Sequence, residues 1–198
     1  GAAAQTDPPA MEVLVPYDST VGTVAAIVAE AQRDGGPTVR SVDLGRLDTR
    51  RPPLSPAGQH ELIDRRRSAG LREARGAIVG ILEDRGVPRP DWAATAARLH
   101  RELPEQVIGG AVENGRDATL NWAVYFCDFG RYQRPFPAGP RRYVSDVNVV
   151  YKRSALERTR DIWQTSYHEP LVHWALERFD IQLLASPDLV VDQIRGGL

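Results

Sequence analysis

Short apolar runs alternating with helix-spaced segments fill the first half of this chain, and that order leaves few folds open to it. Glu12-Val-Leu-Val-Pro16 reads as a strand stopped by proline. Ser19 or Thr20 is placed to cap a helix on which Val21, Val24, Ala25, Val28 and Ala31 recur at helical spacing. Gly35-Gly36-Pro37 breaks that helix, and Thr38 to Val42 reads as a second strand ending at Asp43. Ser55-Pro56 has the form of a cap and first-turn proline for a helix from Ala57 to Ala74. Gly76 opens a third strand, Gly76-Ala-Ile-Val-Gly-Ile-Leu82, which ends abruptly on Glu83-Asp84-Arg85. Repeated strand–helix–strand units call for right-handed crossovers and an α/β domain, a mostly parallel sheet flanked by helices.

The second half is less regular. Pro90-Asp91-Trp92 opens a helix that ends near Pro104, and Gln106 to Val112 reads as a strand. Thr119 to Tyr132 fits helix or strand equally. Tyr143 to Tyr151 contains a strand, and Ser154 starts a short helix. Tyr167 to Phe179 reads as a helix with Pro170 in its first turn, where proline is tolerated. Ile181–Leu184 and Leu189–Asp192 close the pattern as short strands. One domain, residues 11–198, suits this length. Residues 1–10 have no basic segment followed by an apolar core, so they read as a disordered leader and not a signal peptide.

Composition narrows the function classes. A formal charge of -1 argues against a broad nucleic-acid footprint. No run approaches the roughly 20 apolar residues of a membrane span, and cytoplasmic residence is the expectation. Lys152 is the only lysine, so nearly every cation is a guanidinium, a planar fork suited to phosphate or carboxylate. Cys127 is the only cysteine, which excludes an intrachain disulfide and a cysteine metal cluster. Lying between Phe126 and Asp128, it reads as a buried, inert thiol. The aromatic stretch from Trp122 to Phe136 reads as core packing. Of the helical run Arg65-Arg66-Arg67, one member is expected to face a crevice, Arg67 being the candidate. Glu83 and Asp84 stand where open α/β sheets bind ligands. Adjacent like charges gain little from each other, so this pair reads as aimed at a ligand.

Several motifs follow one another in a recognisable order: Val15-Pro16-Tyr17-Asp18; Asp43; Arg67-Ser68-Ala69-Gly70 followed by Glu73-Ala74-Arg75-Gly76; Glu83-Asp84; Gly109-Gly110-Ala111-Val112-Glu113-Asn114; Val147-Asn148-Val-Val-Tyr151-Lys152-Arg153; and Tyr167-His168-Glu169. In this order they resemble the family 2 glycosyltransferases, over most of residues 11–196. The resemblance implies a GT-A fold and inverting transfer of a sugar from a nucleotide-sugar donor to a hydroxyl of a small-molecule or polymer acceptor. It implies Glu169 as the base, at a helix start where negative charge is favoured, and Asp84 as a second catalytic group. Glu83, Asp84 and Arg85 would face the diphosphate, and Tyr17, Asp18, Asp43 and Arg67 the nucleotide. Asp146, Asn148, His168 and Arg195 complete the substrate-binding set. His173 and Trp174 are expected to pack.

The family usually neutralises the leaving diphosphate with Mg²⁺ or Mn²⁺. Here Arg85 and Asp192 replace usual ligands, which leaves Asp84 and Asp192 as the carboxylates that could hold an ion. The two departures suggest instead that Arg85 pairs with Asp192 across the ion position. Asp146 and Val147 replace a glycine and the first of two asparagines, and Pro170 replaces an acid. Family members commonly continue beyond this length, so the chain is either naturally short or truncated. The other reading is a degenerate GT-A domain repurposed for ligand or partner binding, or for a different biosynthetic reaction.

Overall fold

The computed structural model describes residues 5–33 and 36–194. Among them the chain forms an α/β domain with helices on both sides of a mixed sheet. Strands β1 (Glu12–Tyr17) and β2 (Thr38–Asp43) run parallel and in register, from Glu12 opposite Thr38 to Tyr17 opposite Asp43. Helix α1 (Val24–Arg33) crosses between them and buries Val24 and Val28 against Val39. It starts later than Ser19 or Thr20, because the Asp18 carboxylate folds that segment into a turn by accepting from Thr20 N at 2.8 Å. Gly35, part of the expected helix breaker, lies outside the described residues.

Helix α2 (Pro56–Glu73) begins as expected, with the Ser55 hydroxyl accepting from Gly58 N at 3.1 Å. A second sheet follows, built from β3 (Ile78–Leu82), β4 (Gly86–Pro88), β5 (Val107–Asn114), β6 (Gly139–Arg141), β7 (Asn148–Lys152) and β8 (Leu183–Gln193), in the order β3-β7-β5-β8-β4 with β6 also on β8. Strands β5 and β8 pair in parallel, and β3 runs the same way because both it and β5 oppose β7. The opposing strands β4, β6 and β7 are short. No ladder joins β1 to β3 among the described residues, so the sheet is divided between its second and third strands.

Helices α3 (Trp92–Glu102), α4 (Thr119–Asp128), α5 (Arg153–Arg158), α6 (Arg160–Trp163) and α7 (Glu169–Glu177) cover the larger sheet. Strand alternation sorts its core. Val79, Ile81, Val107, Val149, Tyr151 and Leu183 pack with Trp163, Tyr167, Val172 and Leu176 on one face. Ile108, Val150, Leu184 and Val191 meet Trp92, Ala96 and Leu99 of α3 on the other. Strands covered on both faces read as near-continuous apolar runs, as β5 and β7 do.

The ambiguous Thr119–Tyr132 segment is helix α4 followed by a short 3-10 turn, Gly130–Tyr132. Tyr125 and Phe129 face inward, but Phe126 is 58% exposed and Cys127 is exposed, which corrects the buried-thiol expectation. The two expected closing strands are one. β8 shifts register between Gly110 and Ala111 of its partner, so Pro187-Asp188-Leu189 form a bulge inside one strand. Part of the expected leader is held down: Gln5 Nε2 donates to Arg89 O at 2.8 Å and Thr6 N to Pro90 O at 2.6 Å. Residues 1–4 lie outside the described residues.

Candidate active site

The carboxyl ends of β1 and β2 form one edge of the site. Leu44 N donates to Tyr17 O at 2.9 Å, and Ser19 N to Gly45 O at 2.7 Å. Asp43 Oδ1 accepts from Gly45 N at 2.8 Å, with Gly45 at φ 59°, a left-handed conformation that costs glycine little. Desolvation and the Asp43 carboxylate bonded to its hydroxyl raise the Tyr17 pKa. Asp18 is fully buried: Oδ1 takes Thr20 N, and Oδ2 takes Arg66 Nε at 2.5 Å. Burial alone would raise its pKa, yet the bonds from Thr20 and Arg66 outweigh it and hold the carboxyl below its ordinary value.

Helix α2 supplies the cations. Adjacent helical residues are about 100° apart, so two of the three arginines face inward and not one. Arg66 clasps Asp18, and Arg67 Nη1 lies 2.5 Å from Asp146 Oδ2. Arg65 turns to Glu61 at 3.2 Å. Burial opposes the charge on Arg67, but Asp146, with Tyr167 and Asp64 beside it, raises its pKa on balance.

At the end of β3, Glu83 Oε1 accepts from the Gln193 amide. Burial raises the Glu83 pKa, Asp146 and Asp84 push the same way, and Gln193 and Arg67 pull it back. Glu83, Asp84, Asp146 and Arg67 therefore share one electrostatic neighbourhood. Asp84 and Arg85 are exposed on the turn that follows. The expected Arg85–Asp192 pair does not form. Asp192 instead binds Arg89, with Arg89 Nε 3.3 Å and Nη2 3.2 Å from its two oxygens. Arg89 reaches it because β4 lies beside β8, setting Val87 opposite Asp192.

A divalent ion would need several oxygen ligands here. Among the described residues no three His, Cys, Asp or Glu side chains are grouped to hold one. Gln193 engages Glu83 and Arg89 engages Asp192, so the side chains present do not fit the ion the resemblance implies.

Glu169 opens α7 and is half-buried. Its Oε1 lies 2.9 Å from Nδ1 of His173, one helical turn on, although the ring N–H is not aligned well enough for a linear hydrogen bond. His173 Nε2 is 2.8 Å from the Tyr151 hydroxyl, which is 2.6 Å from the Tyr167 hydroxyl. All three rings are buried. His173 was expected only to pack; the i, i+4 spacing from Glu169 was the signal for more. Trp174, also expected to pack, is 49% exposed.

Tyr132 joins the two sides. Burial raises its pKa to about 12, with Glu169 and Asp146 adding to the rise and Arg131 opposing it. Asp146 and Arg67 thus act electrostatically on Glu83 on one side and, with Glu169, on Tyr167 on the other, which puts these groups and Asp84 in one region of the molecule. His168 is exposed, and its charge acts on Asp64. Asp64 borders an open depression of about 540 Å³, also lined by Arg50, His60 and Ser166.

Asn148 must be corrected. It is buried; Oδ1 accepts from Trp92 Nε1 at 2.9 Å, and Nδ2 donates to Ala111 O at 2.8 Å and Leu189 O at 3.0 Å. Its amide protons are both engaged and it faces no ligand. Arg195, with Gly196 and Gly197, lies outside the described residues. Arg66, Tyr132 and Gln193 were not anticipated.

No family model matches the chain, and no curated protein matches it in sequence. Solved structures are similar in shape. Staphylococcus aureus TarS 1-349 in complex with UDP-GlcNAc matches with a TM-score of 0.65 at 15% identity, over 99% of this chain and 53% of that one. A second structure of TarS 1-349 gives 0.61 at 15% identity, over 96% and 52%. The chain has a GT-A-like fold. It spans about half the length of the TarS chain that it matches. No helix among the described residues is long and apolar enough to cross a membrane.

Proposed function

We propose that the chain binds a nucleotide-sugar donor and transfers its sugar, with inversion, to an acceptor hydroxyl, as a divergent family 2 glycosyltransferase of the cytoplasm. The observation that carries this reading is the convergence of Glu169, Asp146 and Arg67 on Tyr167, whose pKa all three influence. The fold shared with TarS, which binds UDP-GlcNAc in the structure described, supports it.

Tyr17 and Asp43 would border the nucleotide, while Arg67, Asp84 and Arg85 line the diphosphate side and His168 borders the acceptor or donor. The acceptor oxygen bonds to the anomeric carbon as the carbon–phosphate-oxygen bond breaks. The hydroxyl proton passes to Glu169, and the diphosphate leaves with the bonding electrons, met by guanidinium charge. Glu169→Gln is expected to keep nucleotide binding and lose about 10²- to 10⁴-fold in transfer rate, the usual contribution of a general base. Unchanged transfer in that variant removes the assignment.

A specific observation favours the second reading, a fold repurposed for other ligands. Arg66, Arg67 and Arg89 are each matched by Asp18, Asp146 and Asp192, so these three guanidinium charges are already neutralised. Thermal melts with nucleoside diphosphates separate the readings. Saturable binding stabilises by about 2.7 kcal/mol at a hundredfold excess over Kd. No shift with any nucleotide supports repurposing.

A further inference from the structure

The geometry points to His173 as a positioning residue for Glu169, a role resting on the reading of Glu169 as the base: Nδ1–H stands beside Oε1, off the line of a hydrogen bond, and attracts that oxygen by charge, leaving Oε2 for the acceptor hydroxyl. The contact is 2.9 Å from Nδ1 to Oε1. A bare Nδ1 would set its lone pair against a carboxylate oxygen, so Nδ1 carries the proton whether the ring is neutral or charged. In the neutral ring, Nε2 is then an acceptor. The Tyr151 hydroxyl, 2.8 Å away, donates to it and accepts from Tyr167 at 2.6 Å.

The two phenols accommodate this tautomer, and the Glu169 carboxylate, which can only accept, selects it. Burial raises the pKa of Tyr151 and Tyr167 far enough that both remain protonated donors. Nothing in the packing of α7 alone requires this arrangement. His173 is 2% exposed, and an aliphatic side chain would fill its place in the core without a chain of polar groups leading to Glu169. The charges that act on these phenols are those of Asp146 before β7, Arg67 on α2 and Glu169 itself.

Two measurements test the role. In ¹⁵N-histidine protein, the ring nitrogen shifts of His173 are expected to report Nδ1–H in the wild type. In Glu169→Ala, which removes the carboxylate and leaves both phenols, that tautomer is expected to lose its dominance. An Nε2–H ring with bare Nδ1 in the wild type overturns the inference, independently of any activity. In a transfer assay, His173→Asn keeps an amide donor near the Nδ1 position and is expected to retain kcat within about 10-fold. His173→Leu is expected to lose about 10²-fold in kcat with donor KM unchanged, the scale of a misplaced catalytic group. Equal loss in Asn and Leu variants that melt like the wild type would make the role structural and sink the proposal. If the Leu variant does not fold, the Asn variant and the tautomer decide. Wild-type protein with Nδ1–H but no transfer from any donor defeats the transferase reading and not the geometry.

Discussion

Asn148 joins β5, β7, α3 and the bulge of β8 through one amide, and replacing it tests how much of the sheet depends on it. Asn148→Asp removes both donors and sets a carboxylate against the carbonyls of Ala111 and Leu189. Buried groups left unpaired cost about 1–3 kcal/mol each, so urea unfolding is expected to show a loss of about 3 kcal/mol or more. Glu83 acts in the opposite sense. Its folded pKa is raised above the ordinary 4.5, so its contribution is full below that value and is lost as pH rises through the folded pKa. Glu83→Gln keeps a neutral acceptor for Gln193; it is expected to stabilise at pH 8 and leave the melting temperature unchanged at pH 4. Asp146→Asn should free Arg67 for phosphate. UDP affinity by calorimetry is expected to rise about tenfold if the site takes a diphosphate, the change that 1.4 kcal/mol makes. The acids and Arg67 were legible because their motifs are local. Their partners were not, since Asp18 meets Arg66 and Asp192 meets Arg89 only after distant segments fold together.

Elements followed their local signals where those signals were complete. The Ser55 cap and first-turn proline set the start of α2, and Ser55→Ala is expected to cost about 1 kcal/mol in thermal melts. Helix α1 was expected too early because Asp18 and Thr20 make a turn before it. The α4 pattern was ambiguous because Phe126 and Cys127 place apolar side chains on its outer face as well. Strands β4 and β6 are three residues long and have no period to read. The bulge in β8 has a sequence requirement on its neighbour: a Cβ on Gly110 would meet Leu189 O at 2.1 Å and Asn148 Nδ2 at 2.2 Å. Gly110→Ala is therefore expected to cost 3 kcal/mol or more, about the upper end for overpacking, and to broaden amide signals across β5 and β8.

At the scale of the whole molecule, the sequence foretold the succession of strands and helices but not the break between β2 and β3. Periodicity reports which face of a strand is covered and says nothing about which edge finds a neighbour. The break divides cohesion unevenly. The β1–β2–α1 layer buries Val24, Val28 and Val39, whereas the larger sheet encloses two extensive clusters. Backbone amides of β1 and β2 are accordingly expected to exchange with deuterium well before those of β5 and β7. Similar protection in both layers would show that they open as one unit.

Because no ladder crosses that seam among the described residues, side chains close it: Arg66 clasps Asp18, Arg40 Nη2 donates to Glu73 O at 3.4 Å, and Glu12 Oε1 accepts from Arg75 N at 2.9 Å. Charge therefore stitches the N-terminal layer to the rest of the molecule where backbone pairing does not, and raising the salt concentration is expected to speed exchange in β1 and β2 more than in β5 and β7.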